Sequence, residues 1–177
     1  SDRGHTAEDT NRAVERLNRR SYEIGLQLML GLPGETQAGC FQSARMVAEL
    51  QPDFVRLYPT VVFSGSRMAE WYEAGKYTPL GLPDCLERVK QLFLFFNRRG
   101  IGIARMGLQT TETAGGSDRI LAGPYHPAFG HLVHCELFVD MARQLLNSSD
   151  GDGTAVTFRV HPRSISRFRG LRNNNLK

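Results

Sequence analysis

Cysteine is scarce in this chain: Cys40, Cys85 and Cys135 are the only three in 177 residues. An odd count with such wide spacing is neither a disulfide framework nor a zinc pattern, so three small buried apolar residues are expected. No apolar run is long enough for a membrane-spanning helix. The stretch from Ser1 to Asp9 is polar and charged, without the apolar centre of a secretory signal, and a cytoplasmic protein is expected. A GxSxG elbow, a P-loop and an HExxH helix are also missing, so these nucleophile, phosphate and zinc signatures are excluded. Acid is absent from residues 159–177, which hold six of the 22 basic residues and leave 16 basic against 18 acidic in the rest. The net +4 is therefore a near-neutral body with a basic tail. Such a tail suits an anionic partner, including RNA, or is a solvated terminus.

At 41% hydrophobic and 23% charged, the chain is an ordinary globular sequence, long enough for one domain with a small appendage. Thr6, followed by Glu8 and Asp9, predicts a capped helix running to about residue 20. A strand over 23–30 ends in Gly-Leu-Pro-Gly-Glu-Thr, and Thr36 caps a second helix that stops before Pro52. A strand over 53–58, a short helix near 68–73, a longer helix over 84–99 and a strand over 101–106 follow. Strands separated by helices predict parallel βα units. A loop over 110–123 leads to a helix over 127–147. A polar linker, a last strand over 154–160 and a short helix after Pro162 complete the chain.

Alternation divides the strand faces. Ile24, Leu26, Leu28 and Leu30 suit packing under helices, whereas Gly25, Gln27 and Met29 make a small, polar and adaptable face. Val55 and Leu57 oppose Phe54, Arg56 and Tyr58 in the same way, and alternation sets Arg105 beside Ile101 and Ile103. A closed barrel is filled with branched aliphatic side chains, where Gln27, Arg56 and Tyr58 would be costly without partners. The pattern implies an open crevice that holds a ligand, or a sheet with a solvated edge. Ligands in parallel α/β folds sit at the C-terminal strand ends, here 27–34, 58–60 and 105–109.

Four blocks occur in order. They are Arg3-Gly4-His5-Thr6, Gly25-Leu26-Gln27-Leu28-Met29-Leu30-Gly31-Leu32-Pro33-Gly34, Val55-Arg56-Leu57-Tyr58-Pro59-Thr60, and Gly123-Pro124-Tyr125-His126-Pro127-Ala128-Phe129. Together they resemble the radical S-adenosylmethionine (SAM) superfamily, in the branch of the Elongator catalytic subunit. Relatives of oxygen-independent coproporphyrinogen oxidase and tRNA methylthiotransferases share that branch.

The resemblance implies an α/β fold: part of a (βα) half-barrel with parallel strands over 1–112, then a small α+β extension with the basic tail over 113–177. It implies an enzyme that uses a [4Fe–4S] cluster held by CxxxCxxC to cleave SAM to a 5′-deoxyadenosyl radical, among relatives some of which modify tRNA. No CxxxCxxC occurs in the chain, so the expectation is a C-terminal piece that lacks the cluster and is inactive alone. The resemblance also implies site residues. Arg3 would meet the SAM carboxylate, Gln27 the ribose hydroxyls, and Gly31, Tyr58 and Pro59 the rest of the cofactor. Arg56, Arg105, Gln109, Tyr125 and His126 are expected on the substrate side. His126, His131 and His134 lack an acid or thiol to complete a metal site, and no metal is assigned to the chain. Expected partners are the missing N-terminal half of the barrel, RNA or tRNA at the tail, and a second copy across the exposed strand edge. No membrane is expected.

Overall fold

The computed structural model describes residues 4–108, 119–148 and 155–176. Helix α1 (Ala7–Asn18) opens with a capping box in which the Thr6 hydroxyl accepts from the Asp9 N–H and the Asp9 carboxylate accepts from the Thr6 N–H. Strand β1 (Gly25–Leu30) follows, then α2 (Gln37–Glu49), capped by the Thr36 hydroxyl on the Gly39 N–H. Next come β2 (Phe54–Pro59), the short β3 (Val62–Phe63) and α3 (Arg67–Glu73), which Ser66 caps. Helix α4 (Leu82–Asn97) carries a proline in its first turn and leads to β4 (Gly102–Met106). The described chain resumes before β5 (Ile120–Ala122) and continues through α5 (Phe129–Asn147), a 3-10 turn at Pro162–Ser164 and α6 (Ile165–Arg169).

Strands β1, β2 and β4 form a parallel sheet in the order β1-β2-β4, with β2 central. The sheet is open, and β3 pairs antiparallel with β5 beside it. One sheet face carries the core. Leu30, Val55 and Leu57 pack with Cys40 and Ala44 of α2, with Cys85, Val89, Leu92 and Phe96 of α4, and with Phe129 and Val133 of α5. Each fully buried large apolar side chain contributes roughly 1.5–3 kcal/mol, so this helix-covered face dominates the stability. The three cysteines are free and buried, as three small apolar residues should be. Among the described residues no helix is long and apolar enough to cross a membrane.

Two sequence expectations are corrected. First, the pairing of β2 with β4 shifts between Val55 and Arg56, so Val55 faces Ile103 while Arg56 faces Arg105. The irregularity at Ala104 breaks simple alternation and moves Arg105 away from Ile103 to the face of Arg56. Second, residues 155–160 pair with no strand among the described residues. The aromatic and β-branched residues that read as a strand instead set Phe158 against Phe168 of α6, their ring centroids 5.4 Å apart.

Candidate functional site

The second sheet face is open. Register aligns Gly25 with Phe54 and Gly102, Gln27 with Arg56 and Arg105, and Met29 with Tyr58. A Cβ on Gly25 would stand 2.2 Å from the Phe54 ring, so the glycine lets that ring lie across β1. Arg56 in turn holds its guanidinium 5.9 Å from the Phe54 centroid. Gln27 and Arg56 are exposed and Arg105 is half-buried. Tyr58 is on the same face but only 8% exposed, and its hydroxyl accepts from Arg105 Nη1 at 3.2 Å.

Thr60 falls in the strand-end range 58–60, but sequence reasoning gave it no role of its own. Its N–H donates to the Leu30 carbonyl at 2.8 Å, so the ladder runs one step past β2, and alternation sets its side chain with Arg56 and Tyr58. Thr60 is 2% exposed and its Oγ1 has no hydrogen-bond partner. A buried hydroxyl left so costs about 1–3 kcal/mol. The row Arg56, Tyr58, Thr60 was the signal that could have found it.

Gly31 ends β1, and both its backbone groups are used within the chain. Its N–H donates to the Glu35 carboxylate at 2.6 Å, and its carbonyl accepts from the Tyr77 hydroxyl at 2.5 Å. Arg88 lies 3.3 Å from the same Glu35 oxygen, with both side chains largely buried. Gly31 is thus a clamped turn residue rather than an open donor. Pro59 is buried at the end of β2.

The segment 123–129 folds back onto the same strand ends. A Cβ on Gly123 would stand 2.9 Å from the Thr60 carbonyl oxygen, and one on Gly107 would stand 2.6 Å from the Phe129 Cβ. Tyr125 and His126 therefore sit beside the ends of β2 and β4, both half-buried. His126 Nδ1 accepts from the Ala128 N–H at 3.0 Å just before α5. Arg3 and Gln109 lie outside the described residues.

The open face presents the exposed Gln27 amide, a donor and acceptor that fits a polar nucleoside ligand such as SAM, whereas the Thr60 hydroxyl is sealed beneath it. The residues present do not fit an iron–sulfur cluster. Burial pushes the Cys40 thiol up to about 11 and the Cys85 thiol up to about 12, and raises Cys135 as well. Thiolates are what such clusters need. Among the described residues no group of three or more His, Cys, Asp or Glu gathers to hold a metal. Away from the sheet strands, an apolar cleft of about 170 Å³ lies between α5 and the C-terminal segment, lined by Phe138, Met141, Leu145, Phe158 and Phe168. It includes none of the predicted site residues.

Residues 52–138 match the family model described as Radical_SAM C-terminal domain. The tRNA uridine(34) acetyltransferase of Methanocaldococcus jannaschii is 32% identical over 88 residues, covering 48% of this chain and 16% of that protein. Protein YhcC of Escherichia coli is 35% identical over 82 residues, covering 46% of this chain and 26% of that protein. The chain thus spans about a quarter or less of these curated relatives. The solved structure of Methanocaldococcus infernus Elp3 with an N-terminal deletion superposes with a TM-score of 0.63 at 23% identity, covering 82% of this chain and 32% of that chain. That likeness extends the shared fold well beyond the stretch matched by the family model. Residues 52–138 thus match the Radical_SAM C-terminal domain, and the chain carries them on a parallel sheet with one helix-covered face.

Proposed function

We propose that the chain forms the C-terminal wall of a radical SAM active site and is inactive by itself. The observation that carries this reading is the asymmetry of the sheet: helices cover one face, while Gln27 and Arg56 lie exposed on the other with Arg105 half-buried beside them. In the whole protein, a [4Fe–4S] cluster held by another segment would supply the electron chemistry, with SAM as its partner. This chain's residues bind and orient. The Gln27 amide offers both a donor and an acceptor to the ribose hydroxyls, and the backbone around Pro59 faces the adenine. The Tyr77–Gly31–Glu35 clamp fixes the turn at the end of β1. Arg3 takes the SAM carboxylate, and Tyr58 lines the pocket. Arg56, Arg105, Gln109, Tyr125 and His126 form the substrate side. The division at residue 112 is then one of role, because Phe129 and Val133 share the core of the strands.

Joining the chain to the CxxxCxxC-bearing segment tests this. The expected product is a brown, oxygen-sensitive protein that releases 5′-deoxyadenosine from SAM under reduction, while the chain alone releases none. A colourless reconstituted protein overturns the assignment. Strand β1 pairs only with β2 among the described residues. Its other edge would take the missing half of the barrel, or a second copy when the chain is alone. A monodisperse monomer at high concentration counts against the second copy.

A second reading is compatible with the first. Arg159, Arg163, Arg167, Arg169 and Arg172 are all exposed, a surface suited to RNA phosphates. Two relatives, from Methanocaldococcus jannaschii and Dehalococcoides mccartyi, bear names that refer to tRNA.

A further inference from the structure

Pro162, Ile165, Ser166 and Arg169 recur at the spacing of one helix face, along the 3-10 turn and α6. The turn Leu171–Leu176 folds back beside that face and adds Arg172 and Asn173, so that one open cleft of about 520 Å³ forms between them. No carboxylate lines it, and Ser166, Arg169, Arg172 and Asn173 are all exposed. The turn is strained. Arg172 (φ 54°) and Asn173 (φ 60°) are both left-handed, a conformation that asparagine tolerates and arginine rarely adopts. Gly170 before them is left-handed too, and a Cβ there would stand 2.5 Å from Asn175 Oδ1. The Asn175 amide donates to the Cys135 carbonyl of α5 at 3.2 Å and to the Phe168 carbonyl of α6 at 3.0 Å. The turn is thus fixed to both helices, and it sets a second arginine on the cleft that Arg169 already lines. Strain of this kind at a residue other than glycine gathers at functional sites.

We infer that this cleft binds one phosphate group, with Arg169 and Arg172 as its charged arms and Ser166 and Asn173 as further hydrogen-bond donors. Guanidinium forks match phosphate oxygens in pairs, and a backbone already fixed loses little freedom on binding. Pro162 and Ile165 give the cleft an apolar side, against which the sugar or base next to the phosphate can lie. The group has two sources, the terminal phosphate of a free nucleotide or an internal phosphodiester of an RNA strand. For the RNA source alone, the site rests on the reading of the C-terminal segment as an RNA surface, and it narrows that surface to one built contact.

The test is NMR titration of the 177-residue chain with two matched pairs of probes. One pair is UMP and uridine; the other is the RNA dinucleotide UpA and its neutral methylphosphonate. The expected result is that one phosphate-bearing probe binds about tenfold or more tightly than its counterpart lacking the charge. Arg169→Gln and Arg172→Gln each abolish that preference. Arg143→Gln removes an exposed charge of α5 that does not line the cleft, and it leaves the preference intact. Preference within the first pair assigns the site to a terminal phosphate, and within the second to an internal one. Should a glutamine variant fail to fold, Arg172→Gly removes the guanidinium while relaxing the left-handed backbone, and it should fold yet lose the preference. The site is overturned if the wild type prefers neither phosphate, or if Arg172→Gly keeps the preference. It is also overturned if Arg143→Gln weakens the preference as much as the cleft variants do, because diffuse charge then accounts for it. Salt-sensitive binding of a longer single-stranded RNA, with no preference in either pair, removes the site and leaves the RNA reading standing. An arginine-dependent preference for UMP without any RNA binding does the reverse.

Discussion

The Tyr77 hydroxyl donates a 2.5 Å hydrogen bond to the Gly31 carbonyl, 46 residues earlier in the chain. Tyr77 is 6% exposed and packs with Val62 and Ala69, so this bond ties the smaller apolar cluster to the end of β1. The strand end that faces the proposed groove is thereby held from outside the parallel sheet.

Replacing the phenol tests that tie. Tyr77→Phe keeps the ring and strands a buried carbonyl, which costs about 1–3 kcal/mol. For a chain of this size the midpoint of thermal unfolding should fall by roughly 4–8 °C for a ~2 kcal/mol loss. A circular-dichroism melt that moves by less than about a degree would show that the bond adds nothing.

Lys90 is 8% exposed and its Nζ lies 2.5 Å from both Glu87 and Asp140, joining α4 to α5. Burial alone would lower its pKa, but hydrogen bonds to Asp140 and Glu87 outweigh it and hold the ammonium above its ordinary value. Both carboxylates keep access to water, so either can be lost at a cost of about 1 kcal/mol while the other still pairs with the lysine. Removing both strands a largely buried charge. Urea denaturation of Glu87→Ala, Asp140→Ala and the double variant should show the double loss exceeding the sum of the two. Simple additivity would sink this account.

Much of this was legible in the sequence, and the failures have physical causes. The faces of β1 and β2 follow from period-two alternation, since Leu28 and Leu30 must turn from Gln27 once one side is covered by helices. Arg105 escaped the same rule because the irregularity falls at Ala104, a residue with no bulge signature of its own. The stretch 155–160 has strand-forming residues, but strand formation needs a ladder partner, and packing of Phe158 on Phe168 took its place. The Tyr77 contact with Gly31 joins distant segments through a hydroxyl, and no local pattern announces such a pair. The unpaired Thr60 hydroxyl was hidden for the opposite reason: it is defined by having no partner.

His134 makes stability depend on pH. Its ring packs edge-on to Phe93 of α4 at 5.2 Å. Burial, then the charges of Arg167 and His131, hold its pKa below the ordinary 6.5. The unfolded chain therefore takes up this proton first. The stabilising effect is full above about pH 6.5 and is lost as pH falls from there toward the folded value. His134→Phe should flatten the dependence of unfolding free energy on pH across that window. An unchanged slope would mean that other groups set it.

The exposed arginines of the C-terminal segment predict salt-sensitive binding. If all five contact phosphates, the logarithm of affinity for a single-stranded RNA should fall with the logarithm of salt at a slope of about −3.5. Fluorescence anisotropy over a KCl titration measures it. Changing Arg159, Arg163, Arg167, Arg169 and Arg172 together to Gln spares Phe158 and Phe168 and should bring the slope near zero. A slope unaffected by these changes places any RNA contact elsewhere.

Gly107 separates backbone strain from crowding where β4 turns toward α5. Its φ of +81° is left-handed, and an added Cβ would stand 2.6 Å from Phe129 Cβ, which is rooted in the core. Gly34 has a similar φ of +78°, but nothing lies within 4 Å of an added Cβ. Gly34→Ala should therefore cost only the conformational part, about 1–2 kcal/mol. Gly107→Ala should cost that plus about 1–3 kcal/mol of overpacking, because Phe129 cannot yield without disturbing Val133 and the end of the sheet. Paired urea curves read the difference directly. Equal losses in the two variants would mean that α5 can slide on the strand ends. In that case Tyr125 and His126, which directly precede that helix, would not be held beside Thr60 firmly enough to serve a common ligand.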